Sequence, residues 1–210
     1  MKKRILIAIC ALAAVFGPSW AKAEQVDFGE IGSLIRLNNN VVVPAGSGTV
    51  WLGSFPVGFD FTVNTTFAQL SAAFTLYGTT VFGDVGSGGT AGQFFSTAGP
   101  TLPGVQGDRL YIWMFNTLVP ANSTQWAIVT NPGANWTRPV SGLNSTSLDV
   151  SDTGTFVPNG ALGTVIGGTF DVRMGLVVIP EPSTYLLGVI GIGAMLMIAR
   201  RRRALSAAQS

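Results

Sequence analysis

Phe59, Phe61 and Val63 alternate with Asp60, Thr62 and Asn64. The same period of two returns from Thr169 to Leu176, where Phe170, Val172, Met174 and Leu176 are separated by polar or small residues. A strand turns successive side chains to opposite faces, so both runs predict half-buried strands. Tyr111 to Phe115 is apolar at every position, which predicts a central strand covered on both faces. Gln125 to Thr130 is its expected neighbour, joined through a turn at Ala121 to Thr124. Thr49 to Phe55 and Phe74 to Phe82 are further strand candidates. Gly, Pro, Asn and Asp cluster at Pro44 to Gly48, Gly83 to Gly89, Gly99-Pro100 and Asn131 to Gly133, and these clusters read as turns. One run departs from the pattern. Phe67, Leu70 and Phe74 recur at helical spacing behind Thr65 and Thr66, which predicts a short helix capped by one of the threonines. The expected fold is mainly β, a β-sandwich or jelly-roll-like domain with one short helix. The loop from Gly83 to Gly92 is its expected mobile piece.

Charge divides the chain of 210 residues into three parts. The formal net charge is +2, but four cations lie at the start (Lys2, Lys3, Arg4, Lys22) and four at the end (Arg200 to Arg203). Between Glu24 and Ser183 stand four arginines and all ten acids, a net charge of −6. That stretch has no basic face for nucleic acid. The basic start is followed by an apolar run from Ile5 to Phe16, then Pro18, then small residues at Ala21 and Ala23. This is the layout of a secretory signal peptide over residues 1–23, cut after Ala23 by signal peptidase. Residues 24–178 form the β-rich exported domain. With 13 charged residues in 155 positions and many apolar ones, it lacks the composition of a disordered chain.

The C-terminal end has its own logic. Pro180, Glu181, Pro182 and Ser183 precede an uncharged, glycine-containing apolar run, residues 184–199, and Arg200, Arg201, Arg202 and Arg203 follow at once. Its uncharged centre, Tyr185 to Ala199, would span about 22 Å as a helix, short of the ~30 Å hydrocarbon core. The expectation is one marginal transmembrane helix whose arginines stay cytoplasmic, with residues 204–210 as a cytoplasmic tail. The succession of Pro-Glu-Pro-Ser motif, apolar run and arginine cluster over residues 179–203 resembles the PEP-CTERM sorting signal of exported proteins in Gram-negative bacteria that make exopolysaccharide. The resemblance implies recognition by an exosortase, with cleavage near Pro180 to Ser183. The seven residues after Arg203 make a longer tail than is usual for that signal.

The chemistry left to the exported domain is narrow. The chain has no histidine, and its one cysteine, Cys10, leaves with the signal peptide. That excludes disulfides, Cys or His zinc ligands and Ser-His-Asp or cysteine nucleophiles. Oxygen-ligated calcium at Asp84 with Asp108, or Asp149 with Asp152, stands against simple turn capping, which the loop-like spacing favours. Asp60, Asp108, Asp149 and Asp171 are the acids from which a glycosidase pair would be drawn. Trp51, Trp113, Trp126 and Trp136 could stack on sugar rings. Trp136, in an Asn135-Trp136-Thr137-Arg138 stretch expected to be an exposed loop, is the possible glycan contact. Asn64, Asn122, Asn135 and Asn144 begin Asn-x-Ser/Thr sequons, read here as the product of a composition rich in Asn, Ser and Thr, with glycosylation as the open alternative. No catalytic, cofactor-binding or metal residue is expected. The expected role is a structural or adhesive, non-enzymatic one at the cell surface or in a biofilm or exopolysaccharide matrix. A carbohydrate-binding module is the alternative, and a glycan-active enzyme a more distant one.

Overall fold

The computed structural model describes residues 24–99, 102–139, 145–166 and 171–176. The chain divides into two units, Met1–Val177 and Val178–Ser210. The expected signal peptide, residues 1–23, and the apolar run at 184–199 lie outside the described residues. Among the described residues no helix is long and apolar enough to cross a membrane.

Strands dominate, as the alternation predicts. A five-stranded sheet holds β3 (Thr49–Ser54), β4 (Thr75–Val81), β6 (Leu110–Phe115), β7 (Gln125–Val129) and β11 (Gly175–Leu176) in the order β11-β7-β6-β3-β4. Every adjacent pair in it is antiparallel. Two three-stranded sheets accompany it. One is β5 (Phe94–Ala98), β1 (Gln25–Glu30) and β8 (Ser145–Asp149), and the other is β2 (Ile35–Arg36), β10 (Val172–Arg173) and β9 (Thr164–Val165). The pairs β1–β8 and β2–β10 are parallel, which an all-antiparallel jelly roll lacks. The layered, mainly β arrangement is consistent with a β-sandwich.

The apolar run at β6 explains the layering. Its side chains alternate between two cores. Leu110, Ile112 and Met114 join Val50, Leu52, Ala127 and Val129 in one core, with Val26 and Phe28 of β1, Phe94 of β5 and Leu148 of β8. Tyr111, Trp113 and Phe115 face the other, with Phe55, Phe61, Leu70, Trp126 and Ile128. The five-stranded sheet is thus covered on both faces, by strands on one and by a helix and an aromatic loop on the other. The helix, α1 (Phe67–Ala73), starts as predicted. Thr66 Oγ1 accepts from the Gln69 backbone N–H, and Gln69 Oε1 accepts from the Thr66 N–H, a reciprocal capping box. Leu70 is fully buried, and Phe67 and Phe74 pack on Trp51 and Trp113.

Two expected strands take other forms. Residues 59–64 hold a turn at 61–63 and no strand. Asp60 Oδ1 accepts from the backbone and hydroxyl of Thr62 at 2.7 and 2.6 Å, which folds the chain back on itself. Phe59 and Phe61 pack beside Phe55 and Tyr111 rather than pairing in a ladder. Their alternation records two aromatic anchors of a loop. The run expected from Thr169 to Leu176 is, over its described part, two short strands in different sheets. β10 pairs with β2 and β9, while β11 pairs with β7. The buried Met174 between them gives its N–H to the Arg36 carbonyl at 2.8 Å.

The glycine-rich loop after β4 is held by Asp84. Its Oδ1 accepts from Ser87 N and Phe95 N, and its Oδ2 from the Thr80 hydroxyl. Gly83 N and Gly92 N close the loop onto the Gln93 and Val43 carbonyls.

Candidate functional site

Of the residues singled out from sequence, Pro180, Glu181, Pro182, Ser183, Arg200 to Arg203, Ala21 and Ala23 lie outside the described residues. Trp136 lies within them, and its position corrects the exposed-loop expectation. It closes a 3-10 turn, Ala134–Trp136, with its N–H on the Gly133 carbonyl. Its side chain is 1% exposed and belongs to the sandwich core. The indole Nε1–H donates to Asp152 Oδ2 at 3.0 Å. No ring face remains for a sugar, so Trp136 is a packing residue. Trp113 and Trp126 are buried as well, and Trp51 is half-buried against Phe74.

The acids cap turns. Asp149 Oδ1 accepts from the backbone and hydroxyl of Ser151. Asp108 Oδ2 accepts from Val105 N at 2.9 Å. Asp171 accepts from Leu34 N and forms an ion pair with Arg36 at 2.6 Å. Among the described residues no group of three or more His, Cys, Asp or Glu is placed to hold a metal ion.

One carboxyl whose pKa is raised is a residue the sequence did not mark. Glu30, the last residue of β1, is fully buried. Its Oε1 accepts from Gly32 N and Ser33 N, and its Oε2 has no hydrogen-bond partner among the described residues. Burial pushes its pKa above the ordinary value, against the lowering effect of the Ser33 hydrogen bonds, and the nearby Asp149 pushes the same way. A carboxyl at the end of an alternating strand, just before Ile31-Gly32-Ser33, looks from sequence like any solvated turn acid.

A cleft of about 260 Å³ opens where the aromatic loop meets β6. Pro56 to Phe59 form a tight turn, with Phe59 N on the Pro56 carbonyl and Gly58 at φ 77°. A positive φ of that size suits glycine. The turn stacks Phe59 on Phe55, centroids 4.7 Å apart, and Phe55 meets Tyr111 edge-on at 5.2 Å. Half-buried Phe59 and Tyr111 line the cleft, Val57 forms a lip 96% exposed, and Asp108, Arg109 and Thr137 complete it. Arg109 is fixed by donation to the Asn131 carbonyl and forms no ion pair among the described residues. Burial raises the Tyr111 pKa, while the nearby guanidinium of Arg109 opposes the rise. Arg109 and Tyr111 are close in sequence, but Phe55 and Phe59 are some fifty residues earlier, so only the fold assembles this group.

Residues 178–203 match the family model described as the PEP-CTERM protein-sorting motif. This covers the Pro180 to Ser183 motif, the apolar run and the arginine cluster, and exosortase is the processing partner that the motif implies. No curated protein and no solved structure matches the chain.

Proposed function

We propose that this chain, which carries a PEP-CTERM sorting motif, is an exported and exosortase-processed protein with a structural or adhesive, non-enzymatic role at the cell surface or in the extracellular matrix. The matched motif at residues 178–203 carries the proposal. In this account signal peptidase cuts after Ala23. The apolar run at 184–199 then holds the chain in the inner membrane with Arg200 to Arg203 on the cytoplasmic side. Exosortase acts near Pro180 to Ser183 and frees residues 24 onward toward the surface or an exopolysaccharide-rich biofilm.

The composition of the exported part supports a non-enzymatic role. It has no histidine or cysteine, and Asp60, Asp84, Asp108, Asp149 and Asp171 are engaged in turns or an ion pair. A second reading, a carbohydrate-binding module, is favoured by the aromatic cleft beside Tyr111.

Replacing Pro180, Glu181 and Pro182 together by alanine in the native host tests the route. The expected result is accumulation in the membrane fraction and loss from the surface and medium. Release of the variant at the wild-type level would overturn the proposal.

A further inference from the structure

We propose that the cleft between the Pro56 to Phe59 turn and β6 is a binding site for an uncharged saccharide chain, with Phe59 and Tyr111 as its apolar walls and Asp108 and Arg109 as its polar ones. Trp136, the tryptophan that sequence favours for this task, is buried, so any saccharide contact of the domain must be made elsewhere. The inference rests on the matrix role for where the ligand is met, and on the cleft alone for its chemistry.

The wall chemistry selects the occupant. A pyranose ring has C–H faces and hydroxyl edges. The faces fit against aromatic rings, which bring large apolar area at little conformational cost. The edges offer donors and acceptors together, which suits a carboxylate beside a guanidinium. Asp108 and Arg109 are both half-buried in the cleft. A hydrocarbon occupant would desolvate both charged groups without replacing their hydrogen bonds.

Charge separates neutral from acidic polymers. The single acid and single base in the cleft cancel, while residues 24–183 carry a net charge of −6. A polyanion would approach against that charge and meet no local excess of cations. The cleft, about 260 Å³, is smaller than the roughly 300–1,000 Å³ of sites that enclose a drug-sized ligand. A short stretch of a longer chain, lying across the lip at Val57, suits it better than a free small molecule.

The test is native electrophoresis of the protein recovered from its host, run through gels containing dextran, galactomannan or alginate and compared with a polymer-free gel. Two variants accompany the wild type. Val57→Glu puts a charge at a lip position 96% exposed, where the fold tolerates it. Arg109→Gln removes the guanidinium. Thermal melts establish that both are folded. The expected result is slowing of the wild type by at least one neutral polymer, none by alginate, and about three- to tenfold weaker slowing of both variants, one losing a charged hydrogen-bond donor and the other placing an unpaired carboxylate at the lip. Free passage of the wild type through both neutral polymers, stronger slowing by alginate, or equal slowing of wild type and variants would overturn the proposal. Retention in the matrix is measured on the same cells. A protein retained there but slowed by neither neutral polymer loses the cleft and keeps the matrix role. One slowed by dextran or galactomannan but absent from surface and matrix keeps the cleft and loses the role.

Discussion

Glu24 and Arg138, 114 positions apart, form a buried bidentate pair, with Arg138 Nε 2.6 Å from Glu24 Oε1 and Nη2 2.9 Å from Oε2. Both side chains are less than a tenth exposed. Arg138 Nη1 donates to the carbonyls of Pro103 and Gly104, so the guanidinium is engaged on every side. Glu24 directly follows the expected signal-peptide cut after Ala23. The residue expected to begin the exported chain is therefore one the fold holds, while the tail that carries the sorting motif belongs to a separate unit.

Removing one member of this pair strands the other's charge in a buried site. Arg138→Met is expected to lower the stability of the exported domain by about 3–5 kcal/mol, and Glu24→Met by a similar amount. The double variant should recover most of the loss, because no uncompensated charge remains. Urea unfolding of the four proteins checks this, and additive losses would contradict it.

Trp136 provides a second test of a packing role. Trp136→Ala opens a core cavity and leaves Asp152 without its indole partner, and should cost about 3–5 kcal/mol. Asp152→Asn keeps an acceptor and should cost less. An unchanged melting temperature in Trp136→Ala would show the ring to be dispensable to the core.

Gly53 sits where the β3–β4 register shifts, between Leu52 and Gly53. An added methyl group there would lie 2.2 Å from the Thr75 carbonyl oxygen and 2.5 Å from the Phe74 ring. Gly53→Ala must therefore displace either the backbone of β4 or the stacked Phe74. Overpacking of this kind costs about 1–3 kcal/mol, and a thermal melt should fall accordingly. A stabilised variant would mean that β4 shifts freely.

Glu30 gives a pH signature. Its folded-state pKa is raised from 4.5, chiefly by burial, so the native state holds the proton more tightly than the unfolded chain. The stabilising contribution is complete below the unfolded pKa and is lost as pH rises through the raised folded value. Glu30→Gln keeps a neutral acceptor for Gly32 N and Ser33 N. It should gain on the wild type as pH climbs from about 4.5 through that window, then hold a constant advantage. Exposed Asp60, whose pKa is lowered by its Thr62 hydrogen bonds, acts in the opposite direction in both proteins and cancels in the difference. Parallel stability curves across the window would contradict the assignment.

Strong local patterns were legible in the sequence. β6 and β7 show apolar runs between turn residues, β3 and β4 carry apolar residues among Thr, Gly and Ser between clear turn signals, and the Thr66 cap marks the start of α1. Weaker patterns were not. β8 is mostly Ser and Thr with Leu148 buried, so its two faces look alike as text. β1 shows inward Val26 and Phe28 but ends on buried Glu30, where the alternation expected of a half-buried strand breaks. Phe59 and Phe61 carry a strand's period because two rings two residues apart can also anchor one turn. The sorting motif was readable because its determinants are contiguous, whereas the aromatic cleft joins segments that only the sheet brings together.

In the proposed route the tail is a removable address. The most direct test is the intact mass of the protein recovered from culture supernatant and from membranes of the native host. The expected supernatant species begins at Glu24 and ends near Pro182. A membrane species still carrying Arg200 to Arg203, with no shortened form outside the cell, would contradict it and make the tail a lasting anchor.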